Sequence, residues 1–510
     1  MHYSSSQFRQ DWRYAVDQEF TTSDGQPFPY APGGHQAWGD EVAKIPLQDA
    51  SESCVSSDGR RIAIAVGNDV HLINTETQET ISVLKSHLTT VASLEFHLND
   101  ANMLLTGSST SSQWSGGKVM VDVDALITVW ELDERTLALN KDTIVSSSVV
   151  EAGAAAVATE LAHAGTKLPP EALEELRERM APNVEHVVRK HTATGHARLF
   201  GRLRTSFGSS VFSPSGRLMV YLPGNSPRSN DVDKWDMCVC RTDDFRTPIL
   251  TLSGHTDNIV WMGWNNEETL LASVSWDSTV RVWDVATGET VHVFRTGDRC
   301  QNWTGGFSPN SKYLVATDGT PKVHVYDLEA RASPGSQGSA ATDEAYWVYT
   351  GPERQHGWHR AVAWHPNSKW LAVGQDQSSE LLLLDVEGKS VLQRRTLSTA
   401  ASRPDREELR VMLGSSVGVS QIRFADNGRK IVVWTHGDDS IEVFDLEREQ
   451  KWRFGRGGTE DVPGADAWRD EHGKVTSAGG RGMSVWERDS RLWMASLDGD
   501  AVRLWSIELE

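Results

Sequence analysis

Residues 252–297 read LSGHTDNIVWMGWNNEETLLASVSWDSTVRVWDVATGETVHVFRTG, and this stretch decides the fold. It holds four short runs of strand-forming residues, separated by turn residues such as Asn265, Asn266, Asp277 and Gly288. The dipeptide Gly254-His255 precedes the first run, and Trp283-Asp284 closes the third. A four-stranded unit of this size cannot bury both faces by itself, so further copies are expected on either side.

Looser copies emerge from two markers: an apolar residue entering a turn of the S-P-x-G type, and the end of the next VRVWD-like run. The first markers are Val55, Phe96, Phe212, Trp264, Phe307, Trp364, Phe424 and Trp486, and the second are Ile73, Trp130, Cys240, Trp283, Tyr326, Leu384, Phe444 and Trp505. Their separations are 18, 34, 28, 19, 19, 20, 20 and 19 residues, so six of the eight agree within two residues and the second and third units carry insertions.

With its GH and WD dipeptides at this spacing, 252–297 resembles a complete WD40 repeat, and through the looser copies the chain resembles the WD40-repeat proteins over residues 51–509. The resemblance implies an all-β, WD40-type β-propeller. Eight blades are expected, with seven as the alternative. The chain ends on VRLWSIELE, a third strand, so the last blade lacks its outer strand. WD40 proteins fill that place with an N-terminal strand, and EVAKIPLQ at 41–48 has the right length, with Pro46 tolerable on an outer edge. The expected organisation is an N-terminal extension at 1–40, a propeller at 41–510, and within it a helical insertion at 142–205 between blades 2 and 3.

The resemblance also implies a hydrogen-bonded structural tetrad of His255, Ser273, Asp277 and Trp283. Buried polar groups are costly unless paired, and such a chain would pair them all. A Ser, a His and an Asp within one repeat also suggest a nucleophilic triad, but the structural role is the stronger reading. Only the fourth unit shows all four residues. The seventh has Asp438 at the turn but Trp434 where serine belongs, and the sixth has Gln375 and Asp376 without the tryptophan.

No G-x-S-x-G, H-E-x-x-H or phosphate-binding G-x-x-x-x-G-K-[ST] motif occurs, so no catalytic residue is assigned and no cofactor is expected. Cys238 and Cys240 share one face of a strand and lack a second pair to complete a zinc site, and Asp231, Asp233 and Asp236 lack the glycine and terminal glutamate of a calcium loop. No metal is expected.

At 510 residues, 38% hydrophobic and 24% charged with 20 tryptophans, the chain is folded and too long for one small core. A formal net charge of −20 argues against nucleic acid or anionic lipid as the main partner and suits a basic partner surface. Four cysteines, no apolar signal-like start and no long apolar run lead to the expectation of a cytoplasmic or nuclear chain without a membrane span.

Insertions gather around one face of the expected wheel. One runs about Gly107–Val121 with Trp114, another about Leu222–Asp236 with Trp235, and these two should lie side by side. The 142–205 insertion has helical grammar, with alanine-rich 151–164 and then EALEELRERM after Pro169 and Pro170. Its apolar stripe would pack on the propeller or await a partner helix. Further extensions fall at 398–414 and 456–480, and 330–344 is a Ser/Gly-rich tract. Trp276, directly before the turn Asp277, is the foremost partner-binding candidate. Trp261, Trp303, Trp358 and Arg360 could line the same rim, although burial between blades suits each tryptophan equally well. Residues 186–204 hold Arg189, Lys190, Arg198, Arg202 and Arg204 and no acidic residue. Arg198, Arg202 and Arg204 are the nucleic-acid contact candidates if this run is more than solvated surface.

The function expected from all this is a non-enzymatic scaffold or adaptor that binds other proteins or peptides through its loop-rich face. Its rivals are an RNA-associated or translation-linked adaptor using 186–204, and a propeller enzyme with a site in the central channel. Fold alone does not choose among them.

Overall fold

The computed structural model describes residues 16–18, 20–85, 87–108, 111–115, 118–132, 145–163, 169–179, 197–227, 235–297, 300–329, 345–351, 358–375, 380–397, 418–436, 440–455, 482–498 and 501–509. The extensions at 330–344, 398–414 and 456–480, together with Asp231, Asp233, Asp376 and Asp438, lie outside the described residues.

Among the described residues strands dominate, arranged as four four-stranded sheets, two five-stranded sheets, one seven-stranded sheet and one two-stranded hairpin. Successive strands pair antiparallel within each repeat unit. The markers fall into register. In the first seven units both members of a pair oppose the same residue of the middle strand, in order Ile62, Leu104, Met219, Leu271, Leu314, Leu371 and Ile431. In the last unit Trp486 opposes Trp493 while Trp505 opposes Met494, one residue along.

A local device sets this register. The residue after the first marker (Ser56, Ser213, Asn265 and Ser308 in four of the units) accepts through its side-chain oxygen the N–H of the residue five positions on. That bond closes the turn before the next strand starts.

Side chains alternate between the two faces of each strand, and both faces are apolar, so each sheet must be covered on both sides. One apolar cluster joins the fourth unit's Val274 and Val280 to the fifth unit's Leu314 and Tyr326, and another joins the fifth unit's Val315 to the sixth unit's Leu371 and Leu382. The series returns to its start: Ile62 and Ile64 of the first unit pack with Trp486, Leu497 and Leu504 of the last. Strand Ala43–Ile45 pairs antiparallel with Val502–Glu508 and supplies the last sheet's fourth strand.

The stretch before it, expected only as an extension, is also tied down. Val16–Gln18 adds a strand to the outer edge of the sixth unit's sheet, and Tyr30–Ala37 runs parallel to Gln450–Gly455 on the seventh. Phe20 and Phe28 between them are buried against Phe444.

The insertion differs from expectation in its end and its place. Helices occupy Val145–His163 and 170–179, but Ala197–Arg202 is a strand paired with Leu126–Glu131. The helices therefore interrupt the second unit between its third and fourth strands. The same strand touches Leu218–Pro223 of the third unit at Gly201 and Arg202, and this joins two units into the seven-stranded sheet. Leu199 and Leu203 face the core while arginines alternate with them, so the end of the basic run is one face of a strand.

Asn225, in the expected second loop, donates to the Asp124 carboxylate at 2.8 Å and accepts from the Ala125 N–H at 2.7 Å, just past the end of the expected first loop. Cys238 and Cys240 are buried in the core of the third unit.

Because Phe20 is fully enclosed, Phe20→Ala should lower the unfolding free energy by about 3–5 kcal/mol in denaturant melts. A freely solvated N-terminal tail would leave the melt unchanged.

Candidate functional site

The fourth unit holds the most complete polar network. Trp283 Nε1–H donates to Ser273 Oγ at 2.9 Å, Ser273 Oγ lies 2.8 Å from His255 Nε2, and His255 Nδ1 lies 2.8 Å from Asp277 Oδ2. Donor and acceptor roles agree throughout if the imidazole is neutral, with its proton on Nδ1. Burial lowers the pKa of His255, which favours that neutral form. Although burial opposes it, hydrogen bonding by His255, Thr279 and the Thr256 N–H leaves the pKa of Asp277 well below the ordinary carboxylate range. Gly254 belongs to the same arrangement. Its φ of 149° suits glycine, and a Cβ there would lie 2.8 Å from the Arg281 guanidinium.

Sequence reading missed a related network in the second unit. His87 Nε2 lies 2.7 Å from Thr106 Oγ1, which accepts Trp130 Nε1–H at 3.0 Å. The hairpin of Ser111–Ser115 and Lys118–Val123 separates Thr106 from Trp130 and hides the spacing. An abnormal marker separation ending on a tryptophan was the available signal.

The networks fix the turns that carry the rim. Trp276, half-buried, meets Trp303 edge-on with ring centroids 5.7 Å apart. Trp303 stacks on Trp358 at 5.1 Å, and the Arg360 guanidinium lies 4.2 Å from the Trp303 ring and 4.5 Å from the Trp358 ring. Phe207 approaches Trp303 from the turn Ser206–Gly208, and its carbonyl accepts the Thr304 hydroxyl at 2.7 Å. That turn lies against the first strands of the fourth to seventh units, where those strands converge. The indole N–H groups of Trp276 and Trp303 are buried and meet no acceptor among the described residues.

The other candidates are placed differently. Trp261 is only 2% exposed, enclosed where Gly263 and Gly305 leave room that a Cβ would fill. Trp235, 7% exposed, packs in its strand opposite His255. Neither forms part of an open rim, and Trp303, 8% exposed, is the buried centre of the cluster, so Trp276, Trp358 and Arg360 make up its accessible part. Trp114 lies on the inserted hairpin, and its side chain is outside the described residues. Arg198 is exposed on the strand Ala197–Arg202, while Arg202 and Arg204 are half-buried.

Burial raises Glu52 and Glu95, on the first strands of the first two units, to about 7. Arg423 acts on Glu95 although their units are not neighbours, which puts both near the centre of the array. Among the described residues, no group of three His, Cys, Asp or Glu side chains is arranged to hold a metal ion.

Residues 246–284 match the family model described as "WD domain, G-beta repeat". The chain is 33% identical over 102 residues to Autophagy-related protein 18 of Caenorhabditis elegans, a match covering 19% of this chain and 25% of that protein. It is 25% identical over 147 residues to the Ribosome biogenesis protein WDR12 homolog of Aedes aegypti, covering 28% and 30%. The chain thus spans less than a third of the length of these curated relatives. Among solved structures it is similar to the C-terminal WD40 domain of Sif2, with a TM-score of 0.55 and 10% identity over 92% of this chain and 97% of that one, a likeness of fold alone.

Asp277→Asn replaces one of two accepting oxygens with an NH2 group, which leaves either His255 Nδ1–H and the Thr256 N–H or the Thr279 N–H and hydroxyl without an acceptor, and should cost about 1–3 kcal/mol at pH 7. A carboxylate whose native pKa is depressed stabilises the fold above its unfolded value of 3.8 and ceases to do so as pH falls through the native value. The gap between wild-type and Asp277→Asn stabilities, measured by denaturant melts, should therefore be constant well above pH 3.8 and narrow below it.

Proposed function

Because this chain is a WD40-repeat protein with a β-propeller fold, we propose that it is a non-enzymatic scaffold that holds other proteins on the face carrying Trp276, Trp303, Trp358 and Arg360. Eight blades are the reading that goes with this function, each marker pair naming one blade and Ala43–Ile45 closing the last.

One observation carries the proposal. Half-buried Trp276 and Trp358 and the Arg360 guanidinium pack around Trp303, in one cluster drawn from three successive units. Aromatic rings beside a guanidinium hold a peptide by stacking and charge. The aromatic surface needs little ordering on binding, which suits a hot spot. Autophagy and ribosome biogenesis appear in the names of the relatives, and an assembly platform is compatible with either setting.

Affinity purification with mass spectrometry on the full chain tests the reading. Trp276→Ala and Trp358→Ala should each deplete the same specific partners at least severalfold, with melting temperatures close to wild type. Deletion of 142–196 then asks whether the helices recruit a separate set. Partner sets untouched by both tryptophan variants would refute the rim, and a metal or cofactor retained through purification would favour the central-channel enzyme instead.

A further inference from the structure

The strand Ala197–Arg202, central in the seven-stranded sheet and paired on both sides, and the residues after it lead toward the rim. Leu199 and Leu203 turn into the core, so the alternate positions Arg198, Phe200, Arg202 and Arg204 form a row on the other side. Phe200 is 56% exposed. Arg202 Nε donates to the Gly224 carbonyl at 3.3 Å, and Arg204 Nη2 donates to Asn258 Oδ1 at 3.2 Å. The Asn258 carbonyl in turn accepts the Trp276 N–H at 3.0 Å, so the row reaches the aromatic cluster directly.

Two of the charges in this row, those of Arg202 and Arg204, are not neutralised by the described residues. Among the described residues no carboxylate forms an ion pair with Arg202 or Arg204, and Arg204 Nε is buried without an acceptor. The neighbouring Asp257 carboxylate accepts the Asn258 N–H. Burial, and then the nearness of Arg204, bring Arg202 down to about 10, the direction expected of a cation short of counter-charge.

From this juxtaposition we propose that Arg198, Phe200, Arg202 and Arg204 form a docking row for an extended acidic peptide segment of a partner protein, whose carboxylates pair with Arg202 and Arg204 and whose chain continues onto Trp276. The inference rests on the rim reading and names the chemistry of the partner there. A carboxylate matches the guanidinium fork and would form charge-assisted bonds with groups already partly dehydrated. An aromatic side chain between two arginines gives such a peptide an apolar anchor. The whole chain, net −20 with these arginines included, favours a short acidic peptide over a nucleic acid, since a polyanion longer than the row would meet a chain of the same sign of charge.

Selection of random twelve-residue peptides on the full-length protein supplies the test. The selected sequences should be rich in Asp and Glu, bind more weakly as salt rises, and lose about tenfold or more in affinity to Arg202→Gln/Arg204→Gln. Arg198→Gln, at an exposed position, should weaken the same peptides severalfold without moving the melting temperature, which covers the case in which the double variant folds poorly. Peptides without acidic enrichment, or indifferent to all three arginines, overturn the proposal. If such peptides still lose binding in Trp276→Ala, the rim reading survives and only its acidic partner fails. If Trp276→Ala is also without effect, both fail. A single-stranded RNA twelve-mer that binds more tightly than the peptides and depends on the same arginines would likewise overturn it.

Discussion

The whole structure depends on the fact that a four-stranded sheet with two apolar faces has no stable life in water until both faces are covered. A row of such sheets covers every face but the first and the last, and only bending the row into a ring covers those two. Here the two exposed ends meet where Ile62 and Ile64 pack with Leu497 and Leu504, and the join is held by backbone pairing of Ala43–Ile45 with Val502–Glu508. The closing strand comes from the opposite end of the chain, so the last sheet cannot be completed until nearly everything else is in place. Upstream residues extend the closure: Val16–Gln18 and Tyr30–Ala37 lie along the sixth and seventh sheets, with Phe20 locked between them.

Once closed, the ring fixes its turns by different means in different places. In the fourth unit a polar chain from Trp283 through a neutral His255 to the ionised Asp277 carboxylate holds the turn that presents Trp276. The sixth and seventh units, which lack the tryptophan-serine pair, use buried ions: Arg395 reaches Glu442 across the sheets at 2.8 Å, and Lys430 sits between Asp426 and Asp445 at 2.7 and 2.9 Å. Loss of one partner in such a pair strands a charge, so these contacts resist single substitutions poorly even where their net contribution is small.

Much of this was legible in the residues. Marker spacing anticipated the strand register because apolar residues facing one interface must oppose one another on successive strands. Pro46 did not prevent recognition of the closing strand, since its neighbours kept a strand's length and its place in the chain was decisive. The strand Tyr30–Ala37 escaped because YAPGGHQA carries a proline and two glycines and no alternation; parallel pairing to a neighbour's edge leaves no local signature. In the second unit an inserted hairpin concealed the His87, Thr106 and Trp130 network, and alternating leucines were overlooked among the arginines of 197–204. At the rim, Trp276 and Arg360 could be placed from their distance to a turn or strand, whereas the burial of Trp261 depends on Gly263 and Gly305 from two different units, a coincidence that no single repeat reveals.

The rim's chemistry follows from this closure, because the residues converging there arrive on separate units and on the turn Ser206–Gly208 that seats itself among them. Hydrogen exchange of the closing strand therefore tests the account most directly. If the ring is closed as described, the paired amides of Ala43–Ile45 and Val502–Leu504 should be protected together and released only with global unfolding. Free-peptide exchange at 43–45, while the middle strands of the last sheet stay protected, would contradict it.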